Sequence, residues 1–559
     1  MLRIGSIAAL CGVVCLVVSA MAGEMQSPRV TRAAVDWDGA AAALGEIAAL
    51  QTVHSADASP AAAAVRRLNA ATGERYSGIA TTAVPVLLPF DIDAFLHDRA
   101  SGAPVRDPAA YSFGFGPPAF FAPGPAGYDA TYRFKLAAIA DLANIRFERD
   151  VAVAISGSLL TYELDPPAPG PGRDVPALAA DFPGIRRVLT EDHVRYTFVR
   201  FGVPYVVTLA CFDGPSARYR RMACRDADRV MLRFIESLRI AGGAPPLPGR
   251  ALAPPAPERP AAPSPTFTYD APGRLAPGAG FHGESGRADH TVYSAIRFPL
   301  AESPAFVNTQ RFARRVADGT RSYPWHDNFC ERRAFRVGQC PSGMGHQGED
   351  ILAAPCSRTS PGANRCTPHR SDVVAARDGM IMREPGQEAV YLVVNTSAEH
   401  LRLRYLHMRP KLLDAAGIIS GRIVRAGEVI GQIGNFDGHE NGTSYHLHFD
   451  IQVPTRAGWV FVNPYMTLVA SYERLIGARG LERPDLVASA ANAVSDASEE
   501  AGAPITLAAI RQAILRAGEP AAAGAPDCAA RHHPHGCATA HSLRDGHRAH
   551  AAAHRRSRT

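Results

Sequence analysis

The sequence feature that most limits the possible fold of this chain is residues 445–451, where apolar and polar residues strictly alternate. These residues are, in order, Tyr445, His446, Leu447, His448, Phe449, Asp450 and Ile451. Side chains of a β-strand leave alternate faces, so both imidazoles leave one face while the apolar set packs into a core. Two neighbouring imidazoles on a strand can bind a divalent metal or share ligation and proton transfer. A solvated, histidine-rich strand face would show the same pattern, so the assignment requires partners elsewhere in the chain.

The residues around this stretch, from about 289 to 475, are dense in short β-rich runs and poor in helical periodicity. Residues 401–405 alternate, and Asp378-Gly379 within 373–382 is a hairpin turn signal. These patterns predict a mainly antiparallel β-sheet domain with a cleft on one face.

Two further motifs in this region can supply partners. Residues 346–350 read HQGED, and Gly348 argues against a helix there. In an extended segment, residues four apart share a face, so His346 and Asp350 point together while Glu349 points away. A neutral imidazole and a carboxylate are good zinc ligands, although a chance surface pair would look the same. The other motif is Tyr405-Leu406-His407-Met408, which ends an alternating strand.

In this order the three motifs resemble those of the lysostaphin/LytM-type zinc peptidases of bacterial cell walls. That family has His-x-x-x-Asp, a later Tyr-x-His, and a His-x-His that usually reads HLHFE; here it reads HLHFD, with Asp450 for the usual Glu and Tyr445 for the usual Pro. A further departure is an insertion between Cys356 and Cys366. The resemblance covers 289–475 and not the preceding residues or the tail.

The resemblance implies a site with one zinc ion per chain and assigns its residues. The implied zinc ligands are His346, Asp350 and His448, which leave a fourth position for water, as in catalytic zinc sites. His407 and His446 are the implied catalytic residues, acting in proton transfer and oxyanion stabilisation.

The resemblance also implies the substrate class, a peptide bond in peptidoglycan stem peptides or cross-bridges. Peptidoglycan is therefore the expected partner, and Asn441, Thr443 and Ser444 are expected to form a cleft-rim loop that contacts substrate. The alternative is a non-catalytic LytM-like regulator that activates another cell-wall hydrolase. Because regulators of that kind have lost metal ligands and this chain retains the full set, we favour the enzyme. The formal charge of +6 suits an acidic polymer surface and does not imply nucleic acid.

The remaining residues predict an exported protein with several parts. Residues 1–22 have the charge, apolar core and small-x-small site of a signal peptide, and no later segment is apolar enough for a stable membrane span. Residues 23–241 predict an α+β domain, 242–288 a Pro-rich linker, and 476–559 a short helix and a disordered His/Arg-rich tail. The expected location is the periplasm, the cell envelope or the medium.

Cysteine usage agrees with export. Once the signal peptide is removed, eight cysteines remain, and an even number in an exported chain indicates disulfides. The simplest pairing is local: Cys211 with Cys224, Cys330 with Cys340, Cys356 with Cys366, and Cys528 with Cys537.

Residues 23–241 show no catalytic constellation, and two hypotheses for their role stay open. They could contact the catalytic cleft within the same chain and restrain the enzyme, or they could only position it on the wall. The histidines of the tail suggest either a solvated arm or a weak zinc-collecting one.

Overall fold

The structure is a computed structural model that describes residues 24–44, 60–101, 108–165, 172–189, 193–211, 222–245, 257–260, 263–309, 324–353 and 371–483. These residues all belong to one unit, which ends at Asp485. The predicted signal peptide, the C-terminal helix and tail, and the pairs Cys356–Cys366 and Cys528–Cys537 lie outside the described residues. Among the described helices, none has the length and apolar character needed to cross a membrane.

The described strands and helices follow one another along the chain with these bounds. The strands are β1 (Arg29–Arg32), β2 (Val86–Pro89), β3 (Pro118–Gly124), β4 (Gly127–Phe134), β5 (Val151–Ser158), β6 (Leu160–Glu163), β7 (Arg173–Asp174), β8 (Arg186–Leu189), β9 (His193–Arg200), β10 (Val203–Ala210), β11 (Leu238–Gly242), β12 (Pro263–Asp270), β13 (Ala305–Val307), β14 (Glu349–Ala353), β15 (Asp372–Val374), β16 (Gly379–Met382), β17 (Val390–Asn395), β18 (His400–Leu406), β19 (Ile423–Val424), β20 (Val429–Gln432), β21 (Leu447–Thr455), β22 (Gly458–Val462) and β23 (Arg479–Arg483). The α-helices are α1 (Trp37–Ala42), α2 (Pro60–Thr72), α3 (Ile92–Ala100), α4 (Cys224–Glu236), α5 (Pro410–Ala415) and α6 (Tyr465–Ile476).

The C-terminal half is built on one antiparallel sheet, as predicted. Its strand order is β13-β14-β21-β18-β17-β16-β19, and β22 pairs with β21. On β21, Leu447, Phe449 and Ile451 are fully buried in a core shared with α6, while His448 and Asp450 lie on the opposite face. The alternation in the sequence therefore separates a core face from a polar face, which we call the site face.

The predicted hairpin at residues 373–382 is wrong. Strand β15 pairs with β20 in a separate small sheet, whereas β16 pairs with β17 and β19 in the large one. Ala375 and Ala376, which connect the two strands, are buried in the core. Asp378-Gly379 therefore redirects the chain between two sheets rather than closing a local pair.

The N-terminal residues form an α+β arrangement, as predicted. A sheet with the order β3-β4-β5-β10-β9-β8-β7 is antiparallel throughout, and α4 packs against β9 and β10. Helical spacing predicts a helix over 226–240, but α4 ends at Glu236 because the next residues form β11 and pair with β2. The predicted Cys211–Cys224 disulfide is confirmed.

Part of the segment predicted as a linker is folded. Residues 263–270 form β12, which runs parallel to β23. Phe267 and Tyr269 are buried in the core of the large sheet, and the Phe267 ring lies 5.1 Å from that of Trp325. Burial of these two aromatic side chains holds the extended, proline-containing segment against the core. This stretch is therefore not a free spacer.

The N-terminal sheet contacts the large sheet through buried polar groups. His400 Nε2 lies 2.9 Å from Asp129 Oδ2, and Arg402 donates to the same carboxylate. Trp459 Nε1 donates to Ser156 Oγ at 2.7 Å. His400 and Arg402 alternate with the core residues of β18, so the N-terminal sheet covers one end of the site face.

Candidate metal centre

Two neighbouring strands bring the predicted ligands together. Strand β14 pairs with β21 so that Asp350 lies directly opposite His448. His346 precedes Asp350 by four residues and reaches the same point. At Gly348 a Cβ atom would lie 2.3 Å from the carbonyl oxygen of Phe449, so only glycine lets the two strands approach this closely here.

The three donor atoms have the spacing of a tetrahedral metal site. His346 Nε2 lies 2.9 Å from His448 Nδ1, and Asp350 Oδ1 lies 3.3 Å and 3.4 Å from these two nitrogens. Ligands about 2.0 Å from zinc in tetrahedral geometry are about 3.3 Å apart. All three side chains are buried, and among the described residues they are the group that could hold a metal ion. The residues present therefore fit a zinc ion with one coordination position open.

Each of the two predicted ligand imidazoles is fixed through its second nitrogen. His346 Nδ1 lies 3.0 Å from the carbonyl oxygen of Asn328, which can only accept, so Nδ1 carries the proton and Nε2 has its lone pair toward the cluster. His448 has the opposite arrangement: Nδ1 faces the cluster, and Nε2 lies 3.2 Å from Asp450 Oδ2. A carbonyl or carboxylate behind a ligand histidine fixes its tautomer and ring orientation.

The two predicted catalytic histidines lie beside this cluster. His446 Nε2 is 3.3 Å from Asp350 Oδ1, and its Nδ1 donates to the carbonyl of Ser444 at 2.7 Å. The His407 ring is centred 4.5 Å from that of His446. His407 Nδ1 donates to the carbonyl of Phe436 at 2.8 Å, so its Nε2 is left as an acceptor.

The position of His407 depends on a turn that the alternating pattern does not predict. Continued alternation would place it on the core face with Tyr405. Instead β18 ends at Leu406, and His407 adopts a φ of 72°, in the left-handed region, which turns its ring toward His446. A Cβ atom on Gly434 would lie 2.2 Å from the His407 carbonyl oxygen, so a glycine is required beside this turn.

The electrostatics of the cluster favour a neutral His346 and an ionised Asp350, whereas for His448 the opposing effect of burial is outweighed by Asp350 and Asp450, which raise its pKa. Burial, followed by the neighbouring His446 and His448, lowers the pKa of His407 to about 3. Burial also lowers the pKa of His346. Burial opposes ionisation of Asp350, but His446 and His346 together hold its pKa well below the usual value. Neutral imidazoles and an ionised carboxylate are the forms that ligate zinc.

The predicted rim residues lie on a partly exposed loop before β21. Asn441 Oδ1 accepts a hydrogen bond from Asn435 Nδ2 at 2.8 Å, and Thr443 N donates to the Asn435 carbonyl at 3.2 Å. Ser444 contributes its carbonyl to His446, as described above. The loop therefore supports His446, one of the two predicted catalytic residues, and its contact with substrate stays a prediction.

Sequence reasoning missed a supporting loop, residues 326–331. Asp350 N donates to Asn328 Oδ1 at 3.1 Å, in addition to the contact of Asn328 with His346. Glu349 points away from the cluster, as expected from its strand phase, and accepts from the backbone N–H groups of Asn328 and Phe329. No local motif marks Asn328, because its role depends on a loop that precedes the ligand strand.

This loop is also held by the Cys330–Cys340 disulfide, which confirms a second predicted pair. Cys330 N donates to the His346 carbonyl at 3.0 Å. We expect Cys330→Ala/Cys340→Ala to lower the free energy of unfolding by roughly 2–3 kcal/mol, the entropy of closing a short loop, and to lower peptidase activity. The measurements are denaturant unfolding and cleavage of a soluble peptide.

The matched control is Cys211→Ala/Cys224→Ala, which removes a similar short-range disulfide from the N-terminal residues. It should also lower stability but leave the peptidase rate of the folded protein unchanged. Equal loss of activity in both double variants would show that the Cys330–Cys340 bridge has no specific effect on the site.

The antiparallel sheet thus carries a buried His/Asp/His cluster that could hold a metal ion. Residues 358–464 of this chain match the model of Peptidase family M23. The match includes His407, His446 and His448, while His346 and Asp350 precede it.

One solved structure is also similar to this chain: a putative glycyl-glycine endopeptidase lytM from Ruminococcus gnavus ATCC 29149. It shares 18% sequence identity, the alignment covers 34% of this chain and 63% of that chain, and the TM-score is 0.19. No curated protein matches the chain.

Proposed function

We propose that this protein is an exported zinc endopeptidase that hydrolyses peptide bonds in peptidoglycan stem peptides or cross-bridges. The observation that supports this most is the cluster of His346, Asp350 and His448 at tetrahedral donor spacing, with His407 and His446 beside it, in a chain that matches the model of Peptidase family M23. The two disulfides agree with an oxidising location outside the cytosol.

The residues of the site can divide the work of peptide hydrolysis. A zinc ion held by the three ligands would lower the pKa of a water molecule and polarise the scissile carbonyl. His446, whose Nε2 faces the cluster, is placed to accept a proton from the attacking water. His407 is neutral because of its low pKa and presents Nε2 as an acceptor, so it can take up a proton released by the attacking water. The imidazolium formed in this way can then stabilise the developing oxyanion or pass that proton to the leaving amine.

The alternative is a regulator that has the same fold and does not cleave. Zymography on purified sacculi, with and without a chelator, separates the two functions. The enzyme should clear the gel, lose this activity with the chelator, and regain it with added zinc. No clearing by a folded, zinc-loaded protein would favour the regulator.

The first prediction from this proposal concerns zinc stoichiometry. We expect a protein that ends at Gly518, and therefore lacks the His-rich tail, to retain one zinc ion per chain, because the three proposed ligands lie in the sheet domain. Metal analysis after gel filtration measures the ratio. The full-length chain is the control, and any additional zinc in it reports binding by the tail. Absence of zinc from the folded shorter protein would contradict the ligand assignment.

A further inference from the structure

His448 differs from the other three imidazoles of the site in how it is fixed. His346, His407 and His446 each place Nδ1 against a backbone carbonyl, whereas His448 uses Nδ1 toward the cluster. Its Nε2 then points along the site face of β21 to Asp450, two residues later on the same strand. A side-chain acceptor therefore fixes this ligand, where backbone carbonyls fix the others.

Asp450 requires a partner of its own, because it is fully buried. A buried carboxylate is strongly destabilising unless it is paired and hydrogen-bonded. The pairing of β18 with β21 places Arg404 directly opposite Asp450, and Arg404 Nε donates to Asp450 Oδ2 at 2.5 Å. Asp450 Oδ2 thus contacts both Arg404 and the Nε2 of His448.

Arg404 also connects to the strand that carries the other ligands. Its Nη2 donates to Gln347 Oε1 at 2.7 Å, and Gln347 follows His346 in the chain. The guanidinium lies over the ring of Phe461 at 5.0 Å, which restricts its orientation. One side chain therefore links the strand of His448 with the segment of His346 and Asp350.

We propose that Asp450 and Arg404 are positioning residues for the metal centre. Asp450 holds His448 in the tautomer that presents Nδ1 to the metal, and Arg404 holds Asp450 and Gln347 in place. The inference rests on the proposed zinc site and extends it to residues that do not touch the metal.

Two substitutions test this arrangement. Asp450→Asn keeps the size of the side chain but removes the charge that pairs with Arg404, and its amide can turn its NH₂ toward His448. Arg404→Lys keeps a charge but removes the planar fork that reaches both Asp450 and Gln347. We expect each variant to bind zinc about 10- to 100-fold more weakly, the usual effect of removing such support.

Arg402→Lys provides the matched control. Arg402 lies two residues before Arg404 on the same strand and the same face, and its buried partner is Asp129. That pair contacts His400 and no proposed metal ligand. Arg402→Lys should lower the thermal midpoint of the metal-free protein, as Arg404→Lys does, but leave the zinc dissociation constant unchanged.

The first measurement is zinc affinity, from competition with a chromophoric chelator on the full-length protein. The second needs no metal: ¹⁵N–¹H correlation spectra of the histidine side chains at mildly alkaline pH, with the His448 signal assigned from its loss in His448→Ala. The metal-free wild type should show the Nε2–H tautomer of His448, and Asp450→Asn should shift the ring toward a mixture of tautomers.

The outcomes distinguish this inference from the proposed function. Unchanged zinc affinity and an unchanged tautomer in Asp450→Asn would overturn the positioning role, as would equal loss of zinc affinity in Arg402→Lys and Arg404→Lys. If wild type binds zinc but cleaves no wall peptide, the proposed function fails while the positioning role stands. If wild type binds no zinc, the proposed function fails, and the positioning role is tested by comparing the His448 tautomer in metal-free wild type and in Asp450→Asn.

Discussion

His448→Ala should lose both bound zinc and peptidase activity, whereas His446→Ala and His407→Ala should keep most of the zinc and lose the reaction rate. His448 Nδ1 lies within 3.4 Å of both other donor atoms, so its removal leaves two ligands. His446 and His407 stand beside the cluster and can act in proton transfer and oxyanion stabilisation. Each of these contributions is typically worth about a hundredfold or more in rate.

Metal analysis and single-turnover cleavage of a soluble wall peptide measure the two effects separately. The sharpest comparison is His446→Ala with His448→Ala, because the two side chains lie next to each other on one face and each substitution removes an imidazole. Loss of zinc in His446→Ala to the same extent as in His448→Ala would show that the assignment within the pair is wrong.

Asp129→Ala should destabilise the protein by about 3–5 kcal/mol, because it leaves Arg402 as a largely buried charge without its carboxylate. Burial alone would raise the pKa of Asp129, but Arg402 and His400 lower it to about 2. Since the folded-state pKa is below the usual value of 3.8, this stabilisation is complete above about pH 4 and is lost as the pH falls toward 2. Denaturant unfolding at neutral and acidic pH measures both effects.

Asp141→Ala is the matched control for this prediction. Asp141 also pairs with an arginine, Arg233, but its side chain is 70% exposed. Exposed pairs contribute about 0–1 kcal/mol, so this variant should unfold almost like wild type. If the two variants were equally stable, the buried contact between the sheets would not contribute to stability.

The Asp129→Ala variant also separates the two hypotheses for the N-terminal residues. A fragment that starts near Asp289 would also remove β12 and its buried Phe267, so the full-length chain is the better material. If the N-terminal sheet restrains the enzyme, loosening its contact in Asp129→Ala should raise the rate on a soluble peptide. If it only positions the enzyme, that rate should stay the same and the rate on intact sacculi should fall.

The sequence by itself determined the features that depend on local periodicity and spacing. The alternation of 445–451 predicted both the strand and the face that carries His448. The four-residue spacing placed His346 and Asp350 together, and Glu349 away from them, once the segment was extended. Local cysteine pairing predicted both disulfides that the described residues contain. These predictions succeed because period and spacing act through the geometry of a single segment.

The tertiary structure decided everything that depends on which strands become neighbours. The Asp378-Gly379 turn does not close a hairpin, because the strands on its two sides pair with β20 and with β17 instead of with each other. The register of β18 against β21 selects Arg404 as the partner of Asp450. The carbonyl of Asn328 reaches His346 from a loop that no motif marks. Register and loop packing are set by contacts between residues far apart in the chain, and no pattern within one segment contains that information.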